Sequence, residues 1–378
     1  MLPLEGILVV GLEQAVSAPH CTRQLVDLGA RVIKVEASTG DAARFYDDAV
    51  GEVSAYFAWT SRGKESVVFD LKTDEGRDLM ERLLARADVL VQNLAPGSAK
   101  RLGLDAESAV ARHPRLIAVD VSGYGKGGPR EISRAYDLLV QSEGGSCAMT
   151  GTVDHPAKPG ITIADIGTGM IAANAVIAAL FARERTGEGA AISVAMFDVV
   201  TDWVSWALHQ ARATGRNPEP IGMSSPVVSP YGAYDTADGQ TIVIGTTNDG
   251  EWQRLATQVL GRPDLAADPR YASNPLRIER RAELDEVLNA WAAGMAFDDA
   301  SAAAEAAGIG WARYNTPLDV LEHPQLRERD RWVTTQAPGR VFESLRPPAD
   351  VSTWDWQPGS VPKIGEHSEA VTNELLNG

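Results

Sequence analysis

Cysteine is nearly absent from this chain: its 378 residues hold two, Cys21 and Cys147, too few for a disulfide framework at this length. There is no C-x-x-C pair. The six histidines (His20, His113, His155, His209, His323 and His367) are scattered, with none at i, i+4, so zinc-ligand spacing is missing. Basic residues are outnumbered, 35 Lys plus Arg against 51 Asp plus Glu, for a formal net charge of −16. A broad nucleic-acid footprint needs the opposite balance, although local Lys and Arg runs could hold one phosphorylated ligand. Uninterrupted apolar runs of about 18 residues are also missing; the longest stretch, 161–181, is broken by Asp165, several glycines and Asn174. The opening MLPLEGILVVGLEQ lacks a basic n-region and carries Glu5. A cytoplasmic protein with no membrane span is expected.

Nucleotide fingerprints are wanting as well. Gly6 and Gly11 flank the first apolar run but do not spell G-x-G-x-x-G, which disfavours NAD and FAD. No P-loop lysine sequence occurs, and G-x-S-x-G is absent, GYGKG having glycine where serine would stand.

What the chain does have is 44% hydrophobic residues, enough to bury a core against chain entropy. GILVVGL (residues 6–12) reads as a buried strand, AVSAPHCTRQLVDLGA as a helix stopped by Gly29, and RVIKVE as a second strand. That is a β-α-β unit of a parallel sheet. The pattern repeats with strands at 65–71, 88–93 and 115–125 and a helix at 73–87 capped by Thr73. Strand ends followed by Gly, Asn and Pro loops are where such sheets bind ligands. From 164 to 185 the chain is rich in Ala and Gly, as in a tightly packed helix, before a TGEG turn. The expected architecture is a Rossmann-like parallel-sheet large domain over 1–221, a smaller α+β domain over 222–325, and a segment over 326–378 that returns to the large domain.

Among the ionisable groups Asp165 stands out. It lies in ITIADIGTGM, between apolar neighbours and just ahead of a helix expected to start near Gly167. Backbone N–H groups at a helix start favour an anion there. The residues alone leave two readings, an N-cap aspartate and a functional carboxylate.

Several stretches together resemble the class III CoA-transferase family, named after CaiB and BaiF, which includes formyl-CoA transferase-like enzymes and is related to α-methylacyl-CoA racemase. They are LEGILVVGLEQAVSAPHCTRQLVDLGARVIKVE, FAWTSRGKESVVFDLKTDEGR, ADVLVQNLAPGSAKRLGL, and the Asp165 segment through RERTGEGAAISVAMFD. DLAADPRYASNPLRIERRAEL and HPQLRERD follow in the same order. The resemblance spans most of the chain. It implies a nucleophilic aspartate at Asp165, acting through an aspartyl anhydride and an aspartyl-CoA thioester. It also implies an interlocked-ring homodimer, acyl-CoA and carboxylic acid as substrates, and no metal or redox cofactor.

By the same matching, CoA contacts are expected at Val16 and Ser17, Phe69 and Lys72, Asn93, Leu94 and Ala95, Arg101, and Arg134, Tyr136 and Asp137. Gly144, Gly145, Gly167 and Gly169 are candidates for close N–H approach. Ala37 departs from some relatives, so one nucleotide contact is expected either to be missing or to be supplied by Arg44. Where the racemase branch carries G-H-D, this chain has Ala135, Tyr136 and Asp137. An acid–base pair across an α-carbon therefore lacks its histidine, and transferase is favoured over racemase; the intact Asp165 argues against a non-catalytic CoA-binding homologue. Arg313 and the GMSSPVVSPYG segment are weaker candidates for acyl recognition.

Overall fold

A computed structural model describes residues 1–377. The β-branched runs form a six-stranded, wholly parallel sheet: β1 (Leu8–Leu12), β2 (Arg31–Glu36), β3 (Glu65–Val68), β4 (Val89–Gln92), β5 (Ile117–Ser122) and β6 (Ala190–Ala195). Their order is β3-β2-β1-β4-β5-β6. In register, Val9 of β1 faces Val32 on one side and Val89 on the other. The strand order reverses between β1 and β4, so the loops leaving those two strands diverge and open a crevice at the carboxyl edge of the sheet.

Alternate residues of each strand feed opposite layers. Val9, Val89, Val91, Ile117 and Val119 pack with Cys21 and Leu25 of α1 (Ser17–Asp27). The same layer takes Ala172, Val176 and Leu180 from the 24-residue helix Ile163–Thr186. On the other face Val10, Ile33, Val35 and Leu90 meet Met80, Leu83 and Leu84 of α2 (Asp74–Leu84). Val371 and Leu375 of the C-terminal helix Ser368–Asn377 complete that layer. Thr73 caps α2 by accepting from the Gly76 N–H at 3.1 Å.

Two compact units result. The first comprises Met1–Ser146, Pro159–Trp206 and the chain from Gln325 on; the second comprises Cys147–Lys158 and Ala207–Pro324. The second unit therefore takes in 207–221, and 147–158 as well, rather than beginning at 222. Its core gathers Trp252, Leu288 and Phe297 behind a three-stranded antiparallel sheet, Tyr231–Asp235, Thr241–Gly245 and Gly310–Arg313.

Candidate active site

The turn after β1 is the first wall. Ala15 stands at φ 60°, a left-handed conformation that a residue with a Cβ adopts only under constraint. Two side chains supply the constraint. Asp41 Oδ1 accepts the Ala15 N–H at 3.2 Å. Asn93, from the loop after β4, accepts from the Gln14 N–H at 2.8 Å, donates to the Gln14 carbonyl at 2.8 Å, and reaches Ser17 Oγ at 3.4 Å. Val16 and Ser17 open α1 and are both buried.

Beneath this turn lies a buried ionic cluster. Lys64 Nζ donates to Glu13 Oε1 at 2.6 Å and to the Pro19 carbonyl at 2.9 Å. Lys34 Nζ donates to Asp41 Oδ2 and to the Glu13 carbonyl, each at 2.9 Å. Burial works against the Lys34 charge, but Glu13 and Asp41 outweigh it and leave its pKa raised. Lys64 is pushed down to about 8, chiefly by burial.

Asp165 forms the second wall. Its helix begins at Ile163, not near Gly167, so Asp165 sits inside the first turn, and the N-cap is Thr162, which makes no side-chain cap bond. The missing cap comes from elsewhere. Asp137 opens α3 (Asp137–Glu143) and its Oδ1 accepts the Ala164 N–H at 3.0 Å, satisfying one of the orphan donors of the long helix, here α4. Its Oδ2 accepts from Gln141 Nε2 at 2.7 Å. Asp165 is half-buried, and its pKa is pushed up to about 7, by burial first and by the neighbouring Asp137 second; a hydrogen bond from Ser17 pulls the other way. A carboxyl group so placed is poised between its two forms near neutrality.

Helix α4 approaches α1 closely at Gly169, and takes the Trp203 ring at Gly167, because both residues lack a Cβ. One built at Gly169 would stand 2.7 Å from the Ser17 carbonyl oxygen and 2.9 Å from His20 Nδ1; one at Gly167 would meet the Trp203 ring at 2.5 Å. Both glycines lie within the helix, where N–H groups serve the helical ladder, so they act by close packing rather than as donors to a ligand. Gly144 ends α3 against Val200, and only Gly145, at φ +88°, opens onto free space. The His20 ring lies 5.2 Å from that of Trp59, tilted by 43°, and is held neutral, its pKa pushed down to about 4 by burial and then by Arg23 and Lys64. Burial, and then the nearby Asp41, Asp165 and Tyr136, push the Tyr46 phenol pKa up. Neither Tyr46, His20 nor Gln141 was marked by the sequence, although Gln141 stands one turn after Asp137, a spacing at which helical side chains meet.

Ser17, Asn93, Asp137 and Asp165 are thus brought together. Tyr136 is 61% exposed beside them. Leu94 is half-buried, its N–H bonded to Gln92 Oε1 at 2.9 Å, while Ala95 and Arg134 are exposed. Lys72 and Arg101 stand apart from Asp165 in sequence and are both exposed. Each adjoins a lining residue, Leu71 and Leu102, of a cavity of about 370 Å³ that also takes in Arg77, Met80 and Arg112. Phe69 contributes its ring to the core, packed with Met80 and Leu104, which leaves its backbone as the part a ligand could touch.

Arg44 does not take over a nucleotide-binding role from position 37. Its guanidinium is buried, paired with Glu36 at 2.6 Å and stacked 3.9 Å from the Phe57 ring. In the second unit, Arg313 is occupied by the Phe297 ring at 3.9 Å and by Gln240 and Asp298. Among the described residues, no three His, Cys, Asp or Glu side chains group as metal ligands.

The family model for CoA-transferase family III matches residues 4–368. A succinate–glutarate CoA-transferase of Agrobacterium fabrum is 35% identical over 99% of this chain and 96% of its own. A succinyl-CoA–D-citramalate CoA-transferase of Chloroflexus aurantiacus is 31% identical over 99% of this chain and 94% of its own. The crystal structure of a CaiB/BaiF family protein from Brucella suis superposes with a TM-score of 0.86 at 35% identity, covering 99% of both chains. With the six-stranded sheet and its carboxyl-edge loops already in view, these matches leave one assignment: the chain belongs to CoA-transferase family III and is a CoA-transferase.

Proposed function

We propose that Asp165 is the nucleophile that carries CoA between acids. A carboxylate oxygen of Asp165 attacks the thioester carbonyl of the donor acyl-CoA; the C–S bond breaks and CoA leaves as thiolate. The thiolate attacks the aspartyl carbonyl of the mixed anhydride, releasing the donor acid and forming an aspartyl-CoA thioester. The acceptor carboxylate then displaces CoA to give a second anhydride, and the thiolate attacks its acyl carbonyl, yielding the new acyl-CoA and free Asp165. An anhydride must be kept from water, and the half-buried setting of Asp165 supports that. The observation that carries the reading is this carboxyl group, held at a helix start beside Ser17 and Asp137 in a chain of this family.

CoA itself is substrate in this scheme, and no metal or redox group takes part. The thioester end lies at Ser17, Asn93 and Tyr136, and the phosphates at Lys72 and Arg101. Named relatives that use succinate, glutarate and citramalate support succinyl-CoA as donor and a short dicarboxylate as acceptor. The enzyme acts in the cytoplasm as a homodimer of interlocked rings. In support, α4 exposes Met170, Ile171, Ile177 and Phe181 along one face, more apolar surface than a free helix normally shows. Although α4 has the length and composition of a membrane span, its other face is packed against α1 and the sheet.

Incubation with succinyl-CoA is expected to leave an adduct on Asp165 that hydroxylamine traps as the hydroxamate. Normal turnover by Asp165→Ala would overturn the reading, and light scattering that returns a single-chain mass would overturn the dimer.

A further inference from the structure

We infer that Gln141 is a positioning residue for the reaction, setting the placement of Asp137 and through it that of Asp165. The inference rests on Asp165 being the acylated group.

Gln141 is completely buried, and a buried amide must have both ends satisfied. Its Nε2 donates to Asp137 Oδ2 at 2.7 Å, and its Oε1 accepts from Ser146 Oγ at 3.2 Å. The direction of the amide is thereby fixed, since a flip would set its carbonyl against the carboxylate. The other oxygen of Asp137 takes the Ala164 N–H, the residue before Asp165. A continuous line of bonds therefore runs from Ser146 through Gln141 and Asp137 to the first turn of α4. The Thr162 side chain makes no cap bond to that turn, so Asp137 is its side-chain anchor, and Gln141 is what holds the anchor in place.

This arrangement matters at the moment of attack. While Asp165 is an anion it stands beside the Asp137 carboxyl group, which accepts two N–H donors and disfavours the charge on Asp165. As its oxygen bonds to the thioester carbonyl and the C–S electron pair leaves on sulfur, the charge departs from Asp137. Correct placement of Asp137 thus raises the energy of the free nucleophile more than that of the acylated one. The titratable groups nearest this pair are Tyr46, from the segment after β2, and Tyr136, which directly precedes Asp137. His20 of α1, neutral, bonds at the neighbouring Ile166 backbone.

The test compares Gln141→Leu and Gln141→Glu with wild type, using succinyl-CoA and glutarate as probes. Glutamic acid has the same shape. Buried beside a carboxylate it stays neutral at low pH and donates its O–H to Asp137; ionised at higher pH, it repels Asp137. Gln141→Glu is therefore expected within about 3-fold of wild-type kcat near pH 6 but about 10-fold or more below it near pH 8.5. Gln141→Leu should lose about 10-fold or more in kcat at both, with KM for succinyl-CoA changed less than about 3-fold. A purely structural role would lower the urea midpoint of Gln141→Glu in step with its kcat as pH rises; that parallel fall, a deficit that does not change with pH, or wild-type kcat in Gln141→Leu overturns the proposal. If Gln141→Leu does not fold, the pH dependence of the isosteric Gln141→Glu decides alone. Failure of wild-type Asp165 to form a hydroxylamine-trappable adduct overturns the underlying nucleophile reading instead, and is seen without either variant.

Discussion

Gly169→Ala tests whether the reactive geometry depends on how closely α4 approaches α1. The added methyl would stand 2.7 Å from the Ser17 carbonyl oxygen, 2.9 Å from His20 Nδ1 and 3.0 Å from the Cys21 amide nitrogen. Two of these atoms are backbone and cannot turn aside, so the helices must separate by several tenths of an ångström. Alanine gains about 1 kcal/mol over glycine in a helix interior. Overpacking of a tight core costs about 1–3 kcal/mol, towards the upper end when backbone must move. The balance is a net loss of about 1–2 kcal/mol, read as a lower urea midpoint with an unchanged m-value. The same displacement carries Ser17 away from Asp165, and kcat should fall by about 10-fold or more. Gly167→Ala is the control: its methyl meets the Trp203 ring at 2.5 Å, but that side chain is 42% exposed and free to swing outward. A Gly169→Ala protein as stable and as active as wild type would refute the close approach of α1 and α4 as the determinant of the site.

Because attack needs the carboxylate, kcat/KM should fall as pH drops through about 7, the pKa to which burial and Asp137 raise Asp165. Stability runs the other way. The folded carboxyl holds its proton above the ordinary value of 3.8, so stability is full below that value and is lost as pH rises towards 7. Asp165→Asn should therefore unfold later than wild type at pH 8, by roughly 1–2 kcal/mol for a partly exposed group, and equally with it near pH 4. An equal midpoint at pH 8 would show that Asp165 is not desolvated. Glu13→Gln leaves the Lys34 and Lys64 ammonium groups, both fully buried, short of a counter-charge, and is expected to cost about 3–5 kcal/mol in urea unfolding; a loss below about 1 kcal/mol would mean the cluster is not dry. Arg101→Ala and Lys72→Ala should each raise KM for the acyl-CoA about 3–10-fold with kcat unchanged, an effect that shrinks with added salt. An unaltered KM at low ionic strength would remove these two cations from phosphate binding.

How far the sequence could be read follows from the distance between interacting residues. Strands β1, β2, β4 and β5 announce themselves in short runs rich in Val, Ile and Leu because both faces of a parallel sheet are covered, and their ends fall within a few residues of the expected ones. Thr73 as a cap is local, three residues from the N–H it satisfies. Asp165 is visible as a charge among apolar residues, but its place within the helix is not. The signal for the helix start is normally an N-cap side chain, and here the cap reaches in from Asp137, 27 residues earlier.

The cations show the same limit from another side. Arg44, Lys72 and Arg101 look alike in one dimension, each a basic residue near a strand end. Arg44 is buried because Glu36 and Phe57 close around it, whereas Lys72 and Arg101 remain exposed near one cavity. The basic residues themselves do not separate those outcomes; what separates them is whether a carboxylate and a ring, as Glu36 and Phe57 do for Arg44, fold over the cation. The reversal between β1 and β4 makes Asn93 the brace of the Gln14 turn across 79 residues, and places Ser17 against the helix that carries Asp165. Apolar periodicity specifies the sheet, the sheet specifies which loops converge, and only then do isolated polar residues become a site. A carboxylate with a raised pKa is thus a property of the topology as much as of the residue, since its desolvation and its charged neighbour both arrive from other segments of the chain.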